Sequence, residues 1–337
     1  MYLSLIIPFY NRDVFSLTLL KTLAELSLEG VEIILVDDGS TDNTHLELSN
    51  YKNSFPNQNI QLIRQANKGP GGARNAGLKL SRAKYVWFVD SDDDITQAAI
   101  DFIKENSIDN YDVINFNYLA RGVEKSGLEV EPGKYIDANE VRAILLGSLV
   151  PLWSNVYRRE MLIDNNISYR EYCYYEDNAL DFIYPFFVKS LLNTNILAYK
   201  YNEENESIVR SKPNSRTLDR LYTAEYGFKK GLKHVLNKDE IDILEKLFVR
   251  LYLVNSVGKY TTIKPSKQWI IMWRIMKNYR RLAKDLDISD SFFDAYNNLP
   301  ELSSKFKLFL YFHWIFSYIV PISTVKYFDN VRREAWQ

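Results

Sequence analysis

Apolar residues in the first 120 positions come in short runs, at 3–7, 31–36, 60–63 and 85–89; Ser4, Glu32 and Gln61 interrupt the first three, and the last is unbroken. Each predicts a strand, and the run at 85–89, which does not alternate with polar residues, predicts one buried on both faces. Between them the spacing is helical. Val14, Leu17, Leu20 and Leu23 predict a helix over about 14–28, which Gly30 ends. A second helix, capped by Ser40 or Thr41, runs to about residue 50. A third opens in the glycine-rich stretch 67–77 and reaches about residue 82, and a fourth covers about 96–106 before a strand at 112–118. Pro8 should stop the first ladder and Asn11 should turn the chain. Strands alternating with helices predict parallel pairing in a layered, Rossmann-like α/β domain. Right-handed crossovers then bring the loops after the first, second and fourth strands to one sheet edge, where such folds bind ligands.

From about residue 214 the pattern changes. Leu218, Leu221 and Tyr222, then Ile241, Leu244, Leu247, Phe248 and Leu251, recur at helical spacing. The expected organisation is an α/β domain over residues 1–210 and a helical domain over 211–337. Two stretches of the second part are unusual. Residues 268–282 mix Trp269, Ile270, Met272, Trp273 and Met276 with Arg274, Lys277, Arg280 and Arg281. Residues 308–320 are uncharged and aromatic but end after 13 positions at Pro321, short of the roughly 20 that span a bilayer. An aromatic stripe of this kind suits a bundle core, a homodimer interface or docking on a membrane surface.

Composition narrows the function. A net charge of -1 over 337 residues provides no field that would recruit nucleic acid. Cys173 is the single cysteine, so no intrachain disulfide forms and a reducing, cytoplasmic compartment is expected. The first residues lack the basic region of a signal peptide and read directly as a strand.

The candidate chemistry gathers after the fourth strand, where Asp90, Asp92, Asp93 and Asp94 place four carboxylates in five residues. These repel one another unless a cation lies among them, and a hard divalent ion with oxygen ligands fits. A solvated turn with Asp93 or Asp94 capping a helix is the plainer alternative. The glycines at 69, 71 and 72 follow the third strand rather than the first, which argues against a dinucleotide fingerprint. They are expected to let the backbone approach a nucleotide, with Arg74 adding a fixed positive charge.

Taken together, Ile6-Ile7-Pro8-Phe9-Tyr10-Asn11, Val36-Asp37-Asp38-Gly39-Ser40-Thr41-Asp42, Asn67-Lys68-Gly69 with Ala73-Arg74-Asn75, and Val89-Asp90-Ser91-Asp92-Asp93 resemble the inverting family-2 glycosyltransferases with the GT-A fold. The resemblance covers the first hundred residues strongly and continues to about residue 210. It implies that Pro8 and Tyr10 hold the nucleobase, that Asp38 with Asp37 hydrogen-bonds it, and that Arg74 lies beside the nucleotide. It also implies that Asp90, Ser91 and Asp92 form the D-x-D site for ribose and a divalent metal, Mn2+ or Mg2+, with Asp92 the direct ligand and Asp90 beside it. Asp93 and Asp94 are left as cap or solvent residues. Tyr174-Tyr175-Glu176-Asp177-Asn178, before an apolar helix expected over 179–190, resembles the family's Glu-Asp motif. Asp177 is then the general base and Glu176 its supporting neighbour. The rival reading puts both acids in a helical first turn, where they suit the dipole. Trp153 could stack on an acceptor sugar or pack in a core.

The resulting expectation is transfer of a sugar from a nucleotide-diphosphate sugar, UDP-linked, to a hydroxyl of a glycan or lipid-linked saccharide in bacterial surface-polysaccharide synthesis. A peripheral position on the inner face of the plasma membrane would follow if the aromatic helices dock there. A sugar nucleotidyltransferase and a non-catalytic nucleotide-sugar-binding scaffold are the alternatives.

Overall fold

The computed structural model describes residues 1–12, 17–202, 215–256, 265–286 and 311–312. The chain divides into two compact units, Met1–Arg210 and Ser211–Gln337. The first unit opens with β1 (Leu3–Phe9), α1 (Leu17–Glu25), β2 (Val31–Asp37), α2 (Thr44–Ser54), β3 (Asn59–Arg64), α3 (Gly69–Leu80) and β4 (Tyr85–Phe88). It continues with β5 (Asp94–Ile95), α4 (Gln97–Glu105), β6 (Val113–Ala120), β7 (Val123–Lys125), β8 (Gly133–Tyr135) and α5 (Ala138–Gly147). It closes with β9 (Asn155–Arg158), α6 (Arg159–Asp164), α7 (Asp177–Leu180) and β10 (Leu191–Lys200).

Among the described residues the strands make one sheet in the order β3-β2-β1-β4-β9-β6-β10-β5, with β7 on β6 and β8 on β10. The first four are parallel, as the alternation of strand and helix requires. The sheet as a whole is mixed, which corrects the all-parallel expectation. β9 lies antiparallel between β4 and β6, with Val156 opposite both Trp87 and Ile114. Four residues are too few to show a period, so this strand is invisible to pattern analysis.

Both faces of the central strands are buried. Leu5, Ile7 and Trp87 pack on one side, and Ile6, Val36 and Phe88 on the other. That is why the run at 85–89 does not alternate. At the edge opposite the ligand loops, buried Glu32 accepts hydrogen bonds from Ser4 Oγ (2.5 Å) and from the Arg82 and Ala83 N–H groups (2.6 and 3.0 Å). It thereby closes the turn from α3 into β4.

Three local expectations change. Pro8 lies within β1, paired with Val36. The Phe9 carbonyl accepts from Asp38 on the β2 side, and the Ile6 carbonyl accepts from Val89 on the β4 side. Alternation therefore turns the ring nitrogen of Pro8 toward β4, whose pairing with β1 ends at Phe88. Helix α2 begins at Thr44, because Asp42 accepts from the Thr44 N–H (3.0 Å) while Ser40 Oγ is taken by the Asn11 N–H. Over 179–190 there is no long helix. α7 is one turn, and a 3-10 turn at Tyr184–Phe186 contains Pro185, which lacks the N–H a helix interior needs.

The second unit contains α8 (Asp219–Gly231), α9 (Lys238–Phe248) running into a π-helical turn at Val249–Val254, and α10 (Pro265–Asp285). Phe228 stacks on Phe248, and Tyr279 of α10 packs against Phe248 and Tyr252. The apolar positions 272, 275, 276, 279 and 282 of α10 are all buried, so this face of the helix serves a core. Residues 308–320 lie outside the described residues, apart from Tyr311 and Phe312, which are exposed. Among the described residues no helix is long and apolar enough to cross a membrane.

Candidate active site

The loop after β1 ties the neighbouring loops together. Asn11 adopts left-handed backbone, φ +50°, which asparagine tolerates better than most residues. Its N–H donates to Ser40 Oγ (3.0 Å), and its Oδ1 accepts from the Thr41 N–H (2.8 Å). The Arg12 N–H donates to Thr44 Oγ1 (2.7 Å), and its guanidinium reaches Asp92 Oδ2 (3.1 Å). Loops one, two and four thus meet, as the topology requires. Tyr10 is exposed at this point and Pro8 half-buried.

Asp37 is completely buried: its Oδ1 accepts from the Ser40 N–H (2.8 Å), and its Oδ2 faces Arg64 Nε (3.2 Å) and His45 Nδ1 (3.1 Å). Asp37 thereby builds the turn after β2. Asp38 is also buried, and its Oδ1 accepts from Gln65 Nε2 (2.7 Å) and the Lys68 N–H (3.0 Å). Burial pushes its carboxyl up, while Gln65 and Lys68 pull it back.

Asp90, Ser91 and Asp92 occupy the turn after β4. Asp92 is held by Arg12, and burial, followed by the charge of Asp90, pushes its carboxyl up. Asp93 is neither cap nor solvent residue. It is buried, accepting from the Tyr199 hydroxyl at Oδ2 (2.7 Å) and from the Asn202 N–H at Oδ1 (2.8 Å). The same hydroxyl accepts from the Asp90 N–H (3.1 Å). Asp94 lies in β5 and accepts from Thr22 Oγ1 (2.8 Å). The outer acids therefore anchor the turn, while Asp90 and Asp92 meet arginines.

Asp90 and Asp92 offer oxygen donors that suit a hard divalent cation. Among the described residues no three His, Cys, Asp or Glu side chains are arranged to hold a metal. A cation here would take its remaining ligands from phosphate oxygens and water, the usual habit of Mg2+ in nucleotide sites.

Arg74 joins this turn to the second acidic motif. One Nη donates to Asp90 Oδ1 (2.6 Å) and the other to Glu176 Oε1, while the guanidinium lies 5.2 Å from the centre of the Tyr169 ring. Burial opposes the arginine charge, but Asp90 and Glu176 more than offset it. Glu176 is buried, whereas Asp177, the first residue of α7, is exposed. Two glycines of α3 lie against neighbouring chain. A Cβ on Gly71 would lie 2.4 Å from the Arg170 carbonyl oxygen, and one on Gly77 would lie 2.3 Å from Ile6 Cγ2. Their small size serves chain-to-chain packing. Trp153 belongs to an aromatic cluster, stacked on Tyr199 (4.3 Å) and Tyr201 (5.6 Å) and edge-on to Tyr118. Asn75 stands in a recognised motif without an assigned role, and Arg12, Tyr169 and Tyr199 carry no motif signal of their own. Only Arg12 and Asn75, beside recognised residues, were within reach of sequence reasoning.

Residues 4–131 match the family model for glycosyl transferase family 2. The glycosyltransferase YibD of Escherichia coli K12 is 29% identical over 225 residues, 62% of this chain and 63% of that protein. The minor teichoic acid biosynthesis protein GgaA of Bacillus subtilis is 27% identical over 300 residues, 84% of this chain and 62% of that protein. The matched part thus spans about three fifths of the length of these curated relatives. TarS of Staphylococcus aureus, a poly(ribitol-phosphate) beta-N-acetylglucosaminyltransferase, is 30% identical over 219 residues, 61% of this chain and 36% of that protein. The crystal structure of its residues 1–349 with UDP-GlcNAc superposes with a TM-score of 0.70 at 22% identity, covering 98% of this chain and 90% of that one. Residues 4–131 are thus similar to glycosyl transferase family 2, and the chain has the GT-A fold.

Proposed function

We propose that this protein is an inverting glycosyltransferase that moves a sugar from a UDP-sugar to a hydroxyl of a cell-surface glycan or lipid-linked saccharide, within a transferase domain over residues 1–210 followed by a separate helical domain. The observation that carries the reading is Arg74, which bridges Asp90 of the D-x-D turn and Glu176 of the Glu-Asp motif. The relatives support the substrate class, since TarS is crystallised with UDP-GlcNAc and GgaA is named for teichoic acid synthesis.

Pro8, Tyr10 and Asp38 line the side assigned to the nucleobase, and Asp90, Ser91 and Arg74 the side assigned to ribose and diphosphate. Asp92, with Asp90, would hold a divalent cation. When bound, the metal offsets the negative charge that grows on the departing diphosphate. Asp177 takes the proton from the acceptor hydroxyl as its oxygen bonds to the anomeric carbon. The bond from that carbon to the diphosphate breaks, and its electron pair leaves with UDP. Glu176 stays paired with Arg74 and fixes the turn that carries Asp177.

A thermal-shift panel of UDP-, GDP- and CMP-sugars, each with and without manganese, tests the donor assignment. A ligand of the native state raises the Tm by mass action. A shift with UDP-sugars that requires manganese is expected, and no shift with any donor would overturn the reading.

A further inference from the structure

Helix α3 does more than present Arg74. The side-chain amide of Asn75, the next residue, makes both backbone hydrogen bonds of Tyr169: Nδ2 donates to the Tyr169 carbonyl (2.9 Å), and Oδ1 accepts from the Tyr169 N–H (2.8 Å). An amide has one donor end and one acceptor end, so it satisfies both the N–H and the C=O of this residue. Three further contacts fasten the same segment to α3. The Tyr172 N–H donates to the Lys68 carbonyl (2.6 Å), Gly71 lies against the Arg170 carbonyl, and Arg74 covers the Tyr169 ring.

The fastened segment leads into two tyrosines with left-handed backbone, Tyr172 (φ +55°) and Tyr175 (φ +58°). Bulky side chains disfavour this conformation, and it persists where surrounding contacts impose it. Tyr175 immediately precedes Glu176 and Asp177. If the anchor were loosened, the turn could relax to ordinary backbone and carry the Asp177 carboxylate away.

We infer that Asn75 is a positioning residue for the base. It holds the chain at Tyr169 on α3, so that the left-handed turn at Tyr175 aims Asp177 at the acceptor hydroxyl. The inference rests on the reading of Asp177 as the general base.

The test is steady-state transfer by the full chain, with UDP binding in manganese measured alongside. Asn75→Ala is expected to lower kcat about 10–100-fold, as displacement of a catalytic group by about 1 Å does, with donor KM and the Kd for UDP within about twofold. Asn75→Asp, of the same size, keeps only the acceptor half of the pair and should fall between wild type and Asn75→Ala. Unchanged kcat in Asn75→Ala would overturn the inference. So would a parallel loss of kcat and UDP binding, which would mark a general folding role. Asp177→Asn assayed beside it separates the two claims. Full transfer by Asp177→Asn sinks the base reading and this inference with it, whereas an inactive Asp177→Asn beside a fully active Asn75→Ala sinks this inference alone.

Discussion

The turn after β4 and the turn before α7 are both acidic, and they are built in opposite ways. In the first, the acids at the end of the run are structural: Asp93 is buried against Tyr199 and Asn202, and Asp94 is tied to Thr22. Asp90 and Asp92, ahead of them, meet Arg74 of α3 and Arg12 of the loop after β1. In the second turn the order reverses. Glu176 is buried against Arg74, and Asp177, behind it, reaches solvent. The first turn takes its stiffness from side-chain hydrogen bonds to β10, the second from left-handed backbone clamped on α3. Adjacent carboxylates of identical chemistry therefore divide into struts and exposed acids according to what the rest of the fold places behind them.

The sharpest way to separate the two turns is to remove one acid from each. Asp177→Asn should lower kcat by about 10²–10⁴-fold, the usual contribution of a general base, and keep the manganese-dependent UDP shift. Asp92→Ala should abolish that shift along with transfer. Equal donor binding in the two variants would show that the turns are not functionally distinct.

Arg74 links the turns, so its loss tests whether they depend on one another. Its side chain and that of Glu176 are 12% and 7% exposed. Arg74→Ala strands a buried carboxylate, and destabilisation of about 3–5 kcal/mol is expected in urea or guanidinium unfolding. Lysine should not restore the wild-type value, because one ammonium cannot reproduce the fork between Asp90 and Glu176.

The β10 strut is predicted to matter less. Tyr199→Phe removes the hydroxyl that serves both Asp93 and the Asp90 N–H, leaving buried groups unsatisfied at about 1–3 kcal/mol. The smallest effect belongs to the outermost acid. Thr22→Val removes one partly buried hydrogen bond to Asp94, worth about 0.5–1.5 kcal/mol, with donor binding unchanged. If Thr22→Val weakened UDP binding as much as Asp92→Ala, Asp94 would belong to the site rather than to its frame.

Much of this was legible in the chain itself. Apolar runs marked the strands, the unbroken one at 85–89 marked a strand buried on both faces, and their alternation with helices marked the parallel half of the sheet. The polar loops at 8–12, 37–42 and 90–94 named the ligand edge, and the pairing of Asn11 with Ser40 and of Arg12 with Asp92 shows that they meet. Local pattern was sufficient there because burial on both faces and turn chemistry are properties of consecutive residues.

Only the tertiary structure decided the rest. It placed β9 between β4 and β6, although the strand is too short to show a period. It turned the α3 glycines toward Arg170 and Ile6, withdrew Asp37 and Asp93 from solvent, and left Asp177 exposed. A carboxylate's solvation depends on groups 100 residues away in the chain, such as Tyr199 for Asp93 and Arg74 for Glu176. Sequence spacing records which acids are available, and packing determines which of them water or a ligand can reach.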